Sequence, residues 1–391
     1  MLPLPNQMAA TKTMRAIFEA QGGAQALLDV EAGLARANAA LGLISPAAAD
    51  AISAACDAST LDCEALAEAG AHAGTIVIPL VAWLRARVPD HAQAVHRAGT
   101  SQDIIDTALV LQLRHGLSLL EADAAAIGAA LVALARRHAT TPILARTLLQ
   151  PALPSTMGWK AASWLALITD MRAALRRAAA DALTLQCGGA AGTRDGLGAD
   201  AARFIAAFAA ALALPPGDLP WHTRRAPLAR LGCALAAGLG SLGKIATDIS
   251  LLMQPEIGEL AEPSAPGRGG SSAMAHKHNP TLSIIVRAAA LRAPHLAATL
   301  LSAIPQEHER AAGAWQGEQA VWPELMLTAS GAFAALREAL TGLTLDKAAM
   351  TRHLALIPAT APAPAIPAMI DFACAQHEAM ENQPPWTISK P

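Results

Sequence analysis

Gly269-Gly-Ser-Ser-Ala-Met-Ala-His-Lys-His-Asn-Pro280 is the stretch on which the reading of this chain turns. Its two glycines leave the backbone free to take conformations closed to other residues. Ser271 and Ser272 supply hydroxyls and Lys277 a cation, while Asn279-Pro280 reads as the cap and first-turn proline of a helix. A pliable hydroxyl loop feeding a helix N-terminus suits an anion that is gripped and then attacked or protonated.

Two more polar segments, each placed before a long helix, extend the pattern. One is His96-Arg-Ala-Gly-Thr-Ser-Gln-Asp103, the other Arg146-Thr-Leu-Leu-Gln-Pro-Ala-Leu-Pro-Ser-Thr156. Three converging helix starts, with their open N–H groups and positive dipole ends, would make a carboxylate site. Capping by Thr100 or Ser101, by Ser155 and by Asn279 is compatible with that use. Charge points the same way. No acid lies between Asp123 and Asp170, where Arg136, Arg137, Arg146 and Lys160 sit, nor between Glu262 and Glu307, where Arg268, Lys277, Arg287 and Arg292 sit. Such stretches suggest a pocket for a small polyanion; chance spacing in Ala-rich helices is the plainer reading.

Around these segments the sequence is helical. Leu27, Val30, Leu34, Ala37 and Leu41 repeat at threes and fours up to Gly42, and Ser45-Pro46 opens the next helix. Long helices are expected over 103–138, 156–186, 228–254, from 280 past 298 with a kink at Pro294, and over 315–340. Helices of about 30 residues are far above the usual 11–12 and imply a long bundle. Strand signals are sparse; the best is Thr75-Ile-Val-Ile78, inside a loop-rich stretch. The expected domains are residues 1–95, a central bundle over 96–345, and a short, partly irregular end over 346–391. In that end Pro358–Pro367 reads as a linker, followed by one short helix near 368–380.

Composition narrows the class. Of 391 residues, 53% are hydrophobic and 15% charged, with mean hydropathy +0.33, which is too apolar for disorder and implies helix faces buried between subunits. No run of 18 apolar residues is free of charges or breakers, and no basic-then-apolar leader opens the chain. The five cysteines are scattered, without metal-ligand spacing, as in a reduced cytoplasmic protein. A net charge of -2 gives no reason to expect nucleic acid or a membrane surface.

Gly-Ser-Ser-x-Met-x-x-Lys-x-Asn-Pro resembles the most characteristic motif of the fumarase/aspartase superfamily, and residues 100–108 and 147–156 resemble its other two. Within it the likeness is greatest to the bacterial carboxymuconate cycloisomerases, through Met14–Phe18, Glu256–Pro263 and Gln306–Arg310. The resemblance covers about residues 10–350. It implies a mostly α fold with a small helical N-terminal domain, a homotetramer with sites shared between subunits, and no metal or organic cofactor. The lyases of the superfamily carry a histidine where this chain has Leu148. Leucine cannot move a proton, so the comparison favours lactone formation over elimination. Ala275, His278, the Arg97-Ala98-Gly99 run and Arg224 depart from the usual pattern near the anion site, and Arg97 and Arg224 would suit a sulfonate or an extra carboxylate.

The resemblance implies Ser271, Lys277 and His96 as the catalytic set. It implies Thr100, Ser101, Gln150, Ser272, Asn279, Arg97, His276 and Arg310 as substrate-binding residues. The substrate expected is a small polyanion, 3-carboxy-cis,cis-muconate or a close analogue such as 3-sulfomuconate. Two readings stand beside it: a lyase of the adenylosuccinate or argininosuccinate type, and a non-catalytic crystallin-like structural protein.

Overall fold

The computed structural model describes residues 8–270, 273–274 and 277–382. Short helices come first: α1 (Lys12–Phe18), α2 (Ala20–Ala40), α3 (Pro46–Ala55), α4 (Cys63–Ala73) and α5 (Val77–Arg87). The expected apolar stripe of α2 is buried, and Gly42 follows its end at φ +71°. Ser45 caps α3 by accepting from Ala48 N–H. The strand expected at 75–78 is absent. Val77, Leu80, Val81 and Leu84 recur at helical spacing and all are buried, so packing overrides the β-branched run.

Five long helices follow and run alternately up and down. They are α6 (Ser101–Arg137), α7 (Met157–Ala182), α9 (Ala226–Leu252), α10 (Thr281–Ser302) and α12 (Val321–Thr341), with α8 (Ala201–Leu212) between the second and third. The helix expected over 315–340 is broken at Ala320 into α11 (Ala314–Gln319) and α12, and α10 runs on through Pro294. Trp164, Trp322 and Phe333 are fully buried between these helices. Each such side chain is worth about 1.5–3 kcal/mol of transfer free energy. Close approach depends on Gly232, where a Cβ would lie 2.3 Å from Leu300 Cδ1.

A feature that the sequence reading lacks joins α6 to α7. Strands β1 (Pro142–Thr147) and β2 (Gln150–Thr156) form an antiparallel hairpin closed by Leu148 and Leu149. Both turn residues are left-handed, at φ +50° and +65°. Such turns normally announce themselves with Asn-Gly, so two leucines hide the hairpin. Thr156, not Ser155, caps α7. At the same end, β3 (Leu260–Ala261) pairs with β4 (Thr344–Leu345), followed by α13 (Lys347–Leu354).

The final helix, α14 (Ile366–Glu381), is longer than expected and docked rather than irregular. Arg172, only 1% exposed, binds Glu121 of α6 and Glu381 of α14, while His377 Nδ1 lies 2.9 Å from Thr169 Oγ1. Among the described residues three helices, α6, α9 and α10, are long and apolar enough to cross a membrane by length and composition. Each nevertheless carries charged residues along its length, among them Glu121 and Asp123, Lys244 and Asp248, and Arg287 and Arg292.

Candidate active site

One end of the bundle gathers the first polar segment. Thr100 is the N-cap of α6, and its N–H donates to Asp103 Oδ2 at 3.3 Å. Arg310 lies over it, donating to Thr100 Oγ1 (3.4 Å) and to the carbonyls of Gly189 (3.2 Å) and Ala190 (2.8 Å). Thr100, Ser101 and Arg310 therefore form one neighbourhood, but much of the Arg310 guanidinium is spent on backbone. His96 sits at φ +62° with Nδ1 2.6 Å from the buried Glu31 carboxylate. If Nδ1–H donates to Glu31, Nε2 is left as the nitrogen able to meet a substrate. Arg97 is exposed, and its carbonyl accepts from Asn38. Arg224 lines a different cleft with Asp181, Asp218 and Trp221, so it is not placed with the Thr100 group.

The other candidates lie at the opposite end. Gln150 is exposed beside the hairpin tip, whose Leu148 and Leu149 are 96% and 73% exposed. Arg146 of the hairpin binds the fully buried Glu259 bidentately (2.8 and 2.9 Å), and His353 Nδ1 of α13 approaches the same carboxylate at 2.7 Å. Lys160, nearby, lines a cavity of about 390 Å³ with Arg146 and His353. Burial pushes its ammonium below the usual lysine range. Lys277 is exposed. Asn279 does not cap α10; its Nδ2 donates to Gly269 carbonyl at 3.0 Å. Ser271, Ser272, Ala275 and His276 lie outside the described residues.

Two expectations change here. The start of α10 is not open to an anion, because Glu262 accepts from the N–H groups of Leu282 (3.0 Å) and Ser283 (2.7 Å). The acid-free basic stretches are not bare either: Arg136, Arg146, Arg268 and Arg292 bind Glu378, Glu259, Glu338 and Glu324. Acids distant in sequence neutralise them, which spacing alone cannot reveal.

Distance decides how the segments can cooperate. The 37 residues of α6 separate Thr100 from the hairpin, which at 1.5 Å per residue is about 55 Å. The loop before α10 belongs to the hairpin end, since Glu262 follows β3 directly. One chain thus presents His96, Thr100, Ser101 and Arg310 at one end, and Gln150, Lys277 and Asn279 at the other.

Sequence reasoning overlooked the polar groups beneath Thr100. Arg225, 1% exposed, binds Asp106 bidentately (2.8 and 3.1 Å) and contacts Glu318, while Trp315 Nε1–H donates to Asp106 at 3.0 Å. Burial pushes the Glu318 carboxyl above its usual range, against the pull of Arg225. Beside this triad His222 pairs with Asp103, and Cys187, its thiol pushed up to about 12 by burial, underlies a glycine-rich loop. The glycines at 188, 189 and 192 were the one available signal. Among the described residues no group of three His, Cys, Asp or Glu is placed to hold a metal ion.

Comparison with known proteins completes the picture. The model of the family described as Lyase matches residues 6–294. The chain is 45% identical over 356 residues to 3-carboxy-cis,cis-muconate cycloisomerase of Bradyrhizobium diazoefficiens, spanning 90% of this chain and 79% of that protein. It is 44% identical over 345 residues to nitrosuccinate lyase of Streptomyces davaonensis, spanning 85% and 72%. The solved structure of 3-carboxy-cis,cis-muconate lactonizing enzyme from Pseudomonas putida matches with a TM-score of 0.86 at 42% identity, over 90% of this chain and 79% of that one.

Proposed function

We propose that this chain, which belongs to the Lyase family of the fumarase/aspartase superfamily, is a 3-carboxy-cis,cis-muconate cycloisomerase. One carboxylate of the muconate adds to the conjugated double bond and closes a lactone. A proton is delivered to the carbanion-like carbon that results, so substrate and product are isomers. The observation that carries this reading is the 45% identity to a cycloisomerase over 90% of the chain. Leu148 at the hairpin tip agrees with it, since a leucine there cannot act as the acid for a departing group.

In this reading Thr100, Ser101 and Asn279 hold substrate carboxylates and Lys277 stabilises the developing enolate-like charge. Ser271 moves the proton, and His96 presents Nε2 under the hold of Glu31. The site is shared between chains of a homotetramer. The length of α6, about 55 Å, which puts Thr100 and the hairpin at opposite ends, supports this, as does the apolar surface left open by α10, with Ile284 50%, Leu291 76% and Leu301 50% exposed. Second copies, rather than lipid, cover these faces. The reading is tested by following loss of the muconate ultraviolet band with 3-carboxy- and 3-sulfomuconate, with nitrosuccinate alongside. Lactone should form from at least one muconate. Turnover of nitrosuccinate without turnover of either muconate would overturn the assignment.

A further inference from the structure

The Asp103 carboxylate is 1% exposed and collects four donors. Oδ1 accepts from Gly188 N–H and from His222 Nε2, each at 2.8 Å, and Oδ2 accepts from Gly189 N–H (3.0 Å) and Thr100 N–H (3.3 Å). One side chain thereby joins the start of α6, the 187–194 loop and the segment before α9. The loop is then held from above by Arg310, which takes the Gly189 and Ala190 carbonyls and reaches Thr100 Oγ1. The contacts close a ring running from Thr100 through Asp103, the loop and Arg310 back to Thr100.

The His222 side chain has no other hydrogen bond among the described residues, while its carbonyl accepts from Gln102 Nε2 at 3.0 Å. The side chain is 3% exposed, and its Nδ1 has no hydrogen-bond partner among the described residues. A buried acceptor without a partner is costly, so what this side chain contributes comes through Nε2. Its place is made by glycine: a Cβ on Gly188 would lie 2.6 Å from His222 Cε1 and 3.1 Å from Nδ1. Gly189 and Gly192 carry the loop across at φ +71° and +74°, conformations that glycine takes without strain.

We propose that His222 and Asp103 are positioning residues: they latch the Gly188–Gly192 loop, and through it Arg310, so that Thr100 and Ser101 meet the substrate carboxylate already oriented. The inference rests on the cycloisomerase reading for its kinetic readout only. Because the latch acts on a binding group remote from the reacting carbons, it governs binding more than chemistry. Gln at 222 carries its amide N–H₂ about as far from the backbone as histidine Nε2, whereas Asn falls short.

The experiment compares His222→Gln with His222→Asn in the full chain. His222→Asn should raise KM for 3-carboxymuconate about five- to tenfold with kcat within about twofold, as for the loss of one buried hydrogen bond. His222→Gln should restore most of it. Amide exchange gives a second readout: Gly188 and Gly189 should exchange about tenfold faster in the Asn variant and near the wild-type rate in the Gln variant. An unchanged KM, unchanged exchange at both glycines, or a fall in kcat at constant KM would each overturn the latch. If the wild type fails to turn over any muconate, the functional reading fails, and the exchange comparison still decides the latch.

Discussion

Arg225→Met and Glu318→Gln, made separately, should have opposite consequences although they disrupt the same contact. Arg225 is one cation between two carboxylates, and all three groups are at most 2% exposed. The cluster therefore buries one excess negative charge. Replacing Arg225 leaves Asp106 with only the Trp315 indole and the Gln186 amide, and Glu318 without its cation. Removing one partner of a buried ion pair costs about 3–5 kcal/mol. Glu318→Gln keeps an oxygen for Arg225 and removes the excess charge, so it should be neutral within about 1 kcal/mol, or stabilising. The pH dependence follows from sign. Burial raises the Glu318 carboxyl above the usual carboxylate range. Its protonated form therefore favours the folded state; that contribution is present below the unfolded value and fades as pH rises through the folded one. The wild type should approach the Gln variant in stability as pH falls. Urea denaturation at fixed protomer concentration, with unchanged slope, measures all of this. A loss of 3 kcal/mol or more in Glu318→Gln would refute the charge count.

Four further outcomes are expected. Ser271→Ala should lower kcat by about 10²–10⁴-fold; Lys277→Met should lower kcat/KM by about 10²-fold or more. Lys277 is exposed, so its variant should hold stability within about 0.5 kcal/mol by thermal melting. Thr100→Ala and Gln150→Ala proteins should each be nearly inactive, yet, in the proposed homotetramer, refolding them together should regain about a quarter of the wild-type sites if the two residues come from different chains. No regained activity in mixed tetramers would place both in one chain's site. Burial, then Arg172, hold His377 below the usual histidine range. Its neutral form favours the docked α14, a contribution present above pH 6.5 and lost as pH falls. Protection factors for amide exchange over residues 366–381, taken against the intrinsic rate at each pH, should fall between pH 7 and 5, and His377→Asn should flatten that dependence.

Much of this architecture was legible because it is local. Helix periodicity located α6, α7, α9 and α10 within a few residues, since an apolar face must recur every 3.6 residues to be buried. The Ser271, Lys277 and Asn279 motif, with the segments at 100–108 and 147–156, pointed to the family, because those residue types must stand at fixed spacing to handle an anion. Local signals failed where packing outweighed them: Val77 opens a helix despite its β-branched neighbours, and two leucines close a hairpin without a turn signature. Non-local pairing was out of reach altogether. That Glu259 would absorb Arg146, that Glu262 would occupy the start of α10, and that Asp103 would bind His222 all join residues 20 to 119 positions apart. The sequence by itself thus determined which residues can do chemistry and which helices carry them. Only the tertiary structure decided that the hairpin and the loop before α10 gather at the far end of α6 from Thr100, because the contacts that gather them join residues a string of letters leaves far apart.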